Sequence, residues 1–491
     1  MKRKSLKKNA VLNAARNLLT IIFPFLTFPY ATKVLQVENI GKVNFASSII
    51  TYFILFAELG ITNYDVRDGA GLRDKKEEYR RFTSEIFTIN MIATVISYIA
   101  LYISISTIPK LQGYRMLLLL LSIEILFVTI GMEWIFTIYE DYLFITIRSI
   151  LFQLLSFVLL FTLVKSKEDY LQYALIAVIA GVGGNILNFM FARKYCKVGL
   201  TLHINWRKHL KPILIIFSIT LTTTIYVSSD MTMLGFMAGD YYVGLYSVGV
   251  KIYRIVKNTL GALLIVAVPR ISYYYSQKMD GELLRTLSNI FNALVFLVLP
   301  SVTGLIVLSK EIVLIISGRE FMEATGSMAI LSIALIFCLF AWFYSQCILM
   351  PFRYEKTILY ITIFSAILNI ILNFLLIPIW KHYAAAFSTA VAEAVTMCIC
   401  IYKSRKFIRL IGVAHNLISS IVGCLGIVLV SVIIKRIVSN TILCTIVTVS
   451  CCAMTYIVIQ LLMKNEFVFV YIHKLRNRIK RFRLKKPAAY E

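Results

Sequence analysis

Charge is scarce in this 491-residue chain. Asp, Glu, Lys and Arg together make up 15% of it, and hydrophobic residues reach 59%. An average soluble domain is about 25% charged and roughly 45–50% apolar. No soluble core absorbs this much apolar surface, and the mean hydropathy of +0.79 agrees. A cytosolic enzyme, a secreted disulfide scaffold and a single-span receptor are thereby excluded. Histidine is scarce too. The five present (His203, His209, His382, His415, His473) fall in loops or near helix ends, which leaves metal chemistry without ligands. No C-x-x-C pair occurs, and eight of the nine cysteines lie in apolar runs, where cysteine acts as a small hydrophobe. No GxxxxGK[ST] occurs, so no P-loop supplies ATP energy. No long external loop is present to host glycosyl transfer or polymerisation, which argues against an enzyme.

What is present is basic. The chain carries 51 Lys and Arg against 25 Asp and Glu, a formal net charge of +26. These cations cluster in short loops and at both termini, the pattern of topogenic charge. The tail has no aromatic-basic module, so no nucleic-acid partner is expected. Fourteen apolar runs are long enough to span a bilayer, beginning with 11–32 and 43–62 and ending with 413–435 and 440–463. The start, MKRKSLKKNA, is basic like a signal sequence, but the run behind it is too long for one and reads as a retained first helix. With the N-terminus inside, inner segments carry 35 Lys and Arg and outer segments 11. Both termini are therefore expected in the cytoplasm, with the chain multi-pass in the cell membrane.

A weak internal repeat is visible. VENIGKVNF around Gly41 resembles YYVGLYSVG around Gly244, Tyr139-Glu140 resembles Tyr354-Glu355, and Tyr173-Ala174 resembles Tyr383-Ala384. The expected fold is all-α, with about 14 transmembrane helices in two six-helix lobes related by a pseudo-two-fold repeat, plus two C-terminal helices. The corresponding divisions are 1–200, 201–405, 406–463 and a basic cytoplasmic tail at 464–491. A parallel repeat of this kind places a substrate path between its halves.

Charges inside apolar runs are costly and point to function. Lys251, Arg254 and Lys257 fall deep in the eighth run, 243–268, and their i, i+3, i+6 spacing keeps them on one helix face. Either they line a hydrated cavity, or that helix is shorter and they sit in a loop. Arg16 and Arg148 lie nearer helix ends, where snorkelling is the alternative to substrate contact. Arg16 sits with Asn13 and Asn17 in one polar cluster. Glu124 and Glu393 fall near the middle of their runs, and Asp230, Glu133, Glu58 and Glu85 nearer the ends. A buried carboxyl exchanges protons more readily near neutrality. Glu124, Asp230 and Glu393 are thus candidates for H+ or Na+ coupling, with permanent pairing to the buried cations as the alternative. Pro24 and Pro29 interrupt the first run and are candidate hinges. Tyr226, Tyr246, Tyr253 and Trp342 are aromatics able to stack on sugars.

Several ordered motifs resemble those of the polysaccharide-biosynthesis oligosaccharide flippases. These are Gly131-Met132-Glu133-Trp134-Ile135-Phe136 with Tyr139-Glu140 and Arg148, and Asp230 with Leu234-Gly235 and Val243-Gly244-Leu245-Tyr246-Ser247. Further on come Gly318-Arg319-Glu320-Phe321, Asn373-Phe374-Leu375-Leu376-Ile377-Pro378, Ala384-Ala385-Ala386 and Glu393. Lys381-His382 departs from the glycine that relatives often carry after the Leu-Ile-Pro turn. The resemblance implies a member of the multidrug/oligosaccharidyl-lipid/polysaccharide exporter superfamily, with a central cavity and alternating access. It implies a flippase without covalent chemistry or cofactor, whose substrate is an undecaprenyl-pyrophosphate-linked oligosaccharide for polysaccharide export. Membrane lipid and other polysaccharide-assembly proteins are the expected partners. A diphosphate wants fixed cations, so Arg16, Arg148, Lys251, Arg254 and Lys257 are the expected substrate-binding residues. A lipid II flippase, a multidrug exporter of the same superfamily, and a membrane glycan polymerase are the alternatives.

Overall fold

A backbone in hydrocarbon has no water to bond, so an apolar run satisfies its own N–H and C=O groups by coiling. The computed structural model of the protein shows this throughout, with no strand among the described residues. Those residues are 6–408, 410–465 and 468, and for 6–11, 13–15, 17, 18 and 20–22 the backbone alone is described. The first five residues, most of the basic tail and the side chains of Asn13 and Asn17 lie outside them.

The helices in chain order are α1 (Leu6–Glu58), α2 (Ile61–Gly69), α3 (Lys76–Thr107), α4 (Pro109–Gln112), α5 (Arg115–Leu121), α6 (Ile123–Gly131) and α7 (Glu133–Ile138). They continue as α8 (Tyr142–Leu163), α9 (Tyr170–Val178), α10 (Asn185–Ala192), α11 (Trp206–Met237), α12 (Asp240–Ser276) and α13 (Asp280–Val307). The last are α14 (Ser309–Ser317), α15 (Ala324–Trp342), α16 (Glu355–Trp380), α17 (His382–Ser404), α18 (Val413–Ile437) and α19 (Thr441–Leu462). Among the described residues, 13 helical stretches are long and apolar enough to cross a membrane. The first, Phe23–Leu72, takes in the end of the run 11–32 and all of 43–62, which the sequence separates, so the expected architecture of about fourteen helices stands. The run at 114–137 is divided into α5, α6 and α7, with Met132 at φ 39° between the last two. The run at 243–268 lies wholly inside the 37-residue α12, so Lys251, Arg254 and Lys257 are mid-helix residues and not a loop.

Both Pro24 and Pro29 lie inside α1, and its non-helical dihedrals fall at Gln36, φ 63° and ψ 179°. That combination is a region essentially reserved for glycine and costs another residue about 1–3 kcal/mol. Gln36→Gly should therefore raise the midpoint of thermal unfolding in detergent. An unchanged or lower midpoint would show that the Gln36 side chain repays the strain by its own contacts.

The chain divides into two units. One comprises Met1–Ser247, Ile316–Phe321 and Ile370–Ala385, and the other Val248–Ile315, Met322–Asn369 and Ala386–Glu491. In the first, α1 packs against α3, α8 and α11. Gly41 and Gly244, matched in the sequence repeat, meet each other: a Cβ on Gly41 would lie 2.9 Å from the Gly244 nitrogen. Only hydrogen at these positions lets the backbones approach so closely. A buried network joins α2, α3 and α11, with His209 bonded to Tyr64 (2.9 Å) and Glu85 (2.9 Å). Cys196 in the connection to α11 lies beside Thr83, and burial pushes its thiol up, the mark of an inert structural cysteine.

In the second unit, α18 packs on both α13 and α19. Gln460 and Ser419 bond across the last two helices, and the Tyr456 hydroxyl donates to the Phe296 carbonyl at 3.0 Å. Such bonds hold apolar helices together where no hydrophobic force acts between them.

Candidate functional site

The best-defined polar site lies in the first unit. Met132 in the left-handed conformation ends α6 and starts α7, which sets Glu133 at the first turn of α7. Negative charge is favoured there by the helix dipole. Arg16 of α1 reaches one oxygen of Glu133 at 2.8 Å, and Arg148 of α8 reaches the other at 2.7 Å. Arg148 also donates to the Asn185 side-chain oxygen at 3.0 Å, and the Asn185 amide is held by the Phe127 carbonyl at 2.9 Å. Two glycines make room. A Cβ on Gly184 would come within 2.9 Å of the Arg148 stem, and one on Gly131 within 2.5 Å of Asn185. The Arg148 side chain is 6% exposed, against 26% for Arg16 and 33% for Glu133. Arg148 is therefore fixed, and its Nε is a buried donor with no acceptor among the described residues. Snorkelling does not describe either arginine: both converge on one carboxylate.

The second unit holds the other cations. Lys257 lies 3.9 Å from Glu393 and 5.6 Å from the centre of the Tyr253 ring, whose hydroxyl donates to Glu393 at 3.4 Å. Lys251 has Arg254 as its charged neighbour, and Arg254 is exposed. On the face expected from spacing, Lys257 thus meets a carboxylate, and Lys251 and Arg254 are like-charged neighbours.

The three candidate coupling carboxylates differ. In the first unit Asp230 accepts from the Tyr246 hydroxyl at 2.7 Å and the Asn373 amide at 2.6 Å, all three side chains being buried. Glu393 is the buried partner of Lys257. Glu124 is half-buried and makes no hydrogen bond or ion pair among the described residues. Two of the sugar-stacking candidates, Tyr246 and Tyr253, bind carboxylates, and Trp342 packs on Gly261. Glu133, Asn185 and Asn373 are not among the expected substrate-binding or coupling residues, although Glu133 is one of the charges in the apolar runs. Glu133 and Asn373 stand inside the quoted motifs, and the signal for Asn185 is the Gly183-Gly184 pair before it.

Each unit also holds a cavity among the described residues. In the second unit a groove of about 600 Å³ runs between α12, α13, α18 and α19, lined by apolar residues such as Leu260, Leu297, Pro300, Leu308, Val449 and Ile457. In the first unit a polar pocket of about 630 Å³ adjoins the Gln36 break, with Glu38, Lys42, Glu168, Tyr170, Tyr241 and Glu320 in its wall.

The profile of a family described as "Polysaccharide biosynthesis protein" matches residues 6–275, more than half of the chain. The chain belongs to that family. A profile described as "Lipid II flippase MurJ" matches residues 259–467. An Escherichia coli (strain K12) protein carrying the name of an O-antigen transporter is 24% identical over 398 residues, which cover 79% of this chain and 94% of that one. A Haloferax volcanii protein named as a low-salt glycan biosynthesis flippase is 25% identical over 181 residues, 37% of this chain and 38% of that one. Among solved structures, an inward closed lipid II flippase MurJ superposes with a TM-score of 0.75 over 93% of this chain and all of the other, at 15% identity. An inward-facing MATE family transporter of the MOP superfamily superposes with a TM-score of 0.56 over 79% and 97%, at 12% identity. This member of the polysaccharide biosynthesis protein family is a multi-pass membrane flippase, a transporter and not an enzyme.

Proposed function

We propose that the protein carries undecaprenyl-pyrophosphate-linked oligosaccharide repeat units from the cytoplasmic to the outer leaflet by alternating access. The observation that carries this reading is the pair of guanidiniums, Arg16 and Arg148, trained on one pair of acceptor oxygens. Arginine forks match phosphate oxygens in the same way they match a carboxylate. In the second unit, Lys251, Arg254 and Lys257 carry further cationic charge, and the apolar groove there suits a polyprenyl chain. The O-antigen transporter name of the E. coli relative agrees with a lipid-linked glycan. Both termini are cytoplasmic in this reading, following the 35-to-11 asymmetry of basic residues. Pro24 and Pro29 act as hinges in α1 on the N-terminal side of its Gln36 break, and a proton or sodium ion bound at Asp230, Glu124 or Glu393 drives the return step.

A second reading, transport of lipid II, is favoured by the match of residues 259–467 to the MurJ profile. Complementation separates the two. In a bacterial strain lacking its own repeat-unit flippase, the chain should restore surface polysaccharide. In a strain depleted of its lipid II flippase, it should not restore growth. The reverse pattern would establish the second reading.

A further inference from the structure

In the cluster of α1, α7 and α8, a protein carboxylate occupies the place that two phosphate oxygens would take. Glu133 gives one oxygen to Arg16 and the other to Arg148. Its side chain is 33% exposed and that of Arg16 26%, so a ligand reaches this ion pair. The buried Nε of Arg148 is a further donor that Glu133 leaves unused. A second carboxylate, Glu58 at the end of α1, is the charged neighbour of Glu133 and makes no hydrogen bond or ion pair among the described residues. The charged groups facing Glu133 are thus Arg16 from α1, Arg148 from α8 and Glu58 from the far end of α1. Neutral Asn185 from α10 completes the cluster through Arg148.

We infer that Glu133 is an internal counter-anion, which the substrate's diphosphate displaces from Arg16 and Arg148, and that the freed carboxylate beside Glu58 is neutralised by a proton from water. The inference rests on the diphosphate reading given above. Freed from both arginines, Glu133 keeps Glu58 as its charged neighbour, and two carboxylates that interact without a cation are costly to keep ionised together. One proton is therefore taken up as the substrate enters, and it is released when the substrate leaves and Glu133 re-forms its two ion pairs. Substrate occupancy and proton occupancy are then exclusive of the empty, ion-paired state, and Glu133 sets the affinity by competing with the cargo.

The test uses the full chain in detergent with farnesyl diphosphate as probe. Calorimetry in two buffers of different protonation enthalpy reads affinity and proton number together. Comparison between variants cancels the probe's own titration. Glu133→Gln should bind the probe on the order of tenfold more tightly, because a competing charge-assisted contact is gone. It should also take up about one proton fewer per probe than the wild type. Glu58→Gln leaves both Arg–Glu133 contacts in place. It should keep the affinity within about threefold while also taking up fewer protons, and this comparison decides alone if Glu133→Gln does not fold. Unimproved affinity in Glu133→Gln, with binding lost in Arg16→Gln, overturns the displacement and leaves the diphosphate reading intact. So does a proton number in Glu58→Gln equal to that of the wild type. Affinity indifferent to both Glu133→Gln and Arg16→Gln overturns the inference and the diphosphate reading together.

Discussion

Arg148→Gln should reduce transport on the order of 100-fold while the protein still reaches the membrane. The charge lost is the one the fold holds most firmly: Arg148 is buried, braced by Asn185, and seated on Gly184. A charge-assisted bond to phosphate is worth about 1.5–3 kcal/mol, so one arginine accounts for roughly one to two orders of magnitude. Glutamine keeps much of the stem and a donor to Asn185, and Glu133 keeps Arg16, so no carboxylate is left without a cation. Transport of repeat-unit lipid in proteoliposomes reads the loss, and size-exclusion behaviour in detergent reports folding. Gly184→Leu should have the same effect by a different route, since its side chain enters the space of the Arg148 stem. Normal transport in Arg148→Gln would reduce the cluster to a structural ion pair.

Asp230→Asn should abolish the response of transport to an imposed ion gradient. Asp230 is buried and accepts from the Tyr246 hydroxyl and the Asn373 amide. Asparagine has nearly the same shape, keeps one acceptor oxygen and cannot bind a proton or attract sodium as a carboxylate does. Glu393→Gln is the contrasting case, because Glu393 is engaged with Lys257 and Tyr253. That variant should transport more slowly, through the disturbed Lys257, and keep its dependence on the gradient. Measured in proteoliposomes with imposed pH or sodium gradients, the two variants should separate. Retained gradient dependence in Asp230→Asn would remove Asp230 from the coupling step.

Much of this architecture is legible in the sequence, since apolar length alone specifies a helix in hydrocarbon. What escapes is where those helices break. Prolines mark α1 at residues 24 and 29, but its non-helical residue is Gln36, whose side chain has no turn preference. Met132 is similarly silent, although its left-handed backbone is what presents Glu133 to the arginines. Site residues divide the same way. Arg16, Arg148, Asp230 and Glu393 stand out because a charge in an apolar run is conspicuous. Which of them pair does not stand out, because Arg16–Glu133 and Asp230–Asn373 join helices far apart in sequence and Glu133–Arg148 depends on the turn between α7 and α8. The i, i+3, i+6 spacing of Lys251, Arg254 and Lys257 places them along one helix without revealing that Lys257 meets Glu393 and Arg254 is exposed.

The central claim is that the protein moves a diphosphate-linked glycan lipid between leaflets. The most direct measurement is the leaflet exchange of a fluorescent undecaprenyl-pyrophosphate oligosaccharide in proteoliposomes, read by an added reagent that quenches only the outer leaflet. The account predicts rapid, protein-dependent quenching of the inner pool. It also predicts that a neutral prenyl-linked glycan with the same sugars stays unmoved, and that Arg148→Gln vesicles behave like empty ones. Equal exchange of the charged and neutral lipids, or no exchange of either by the wild-type protein, would contradict it.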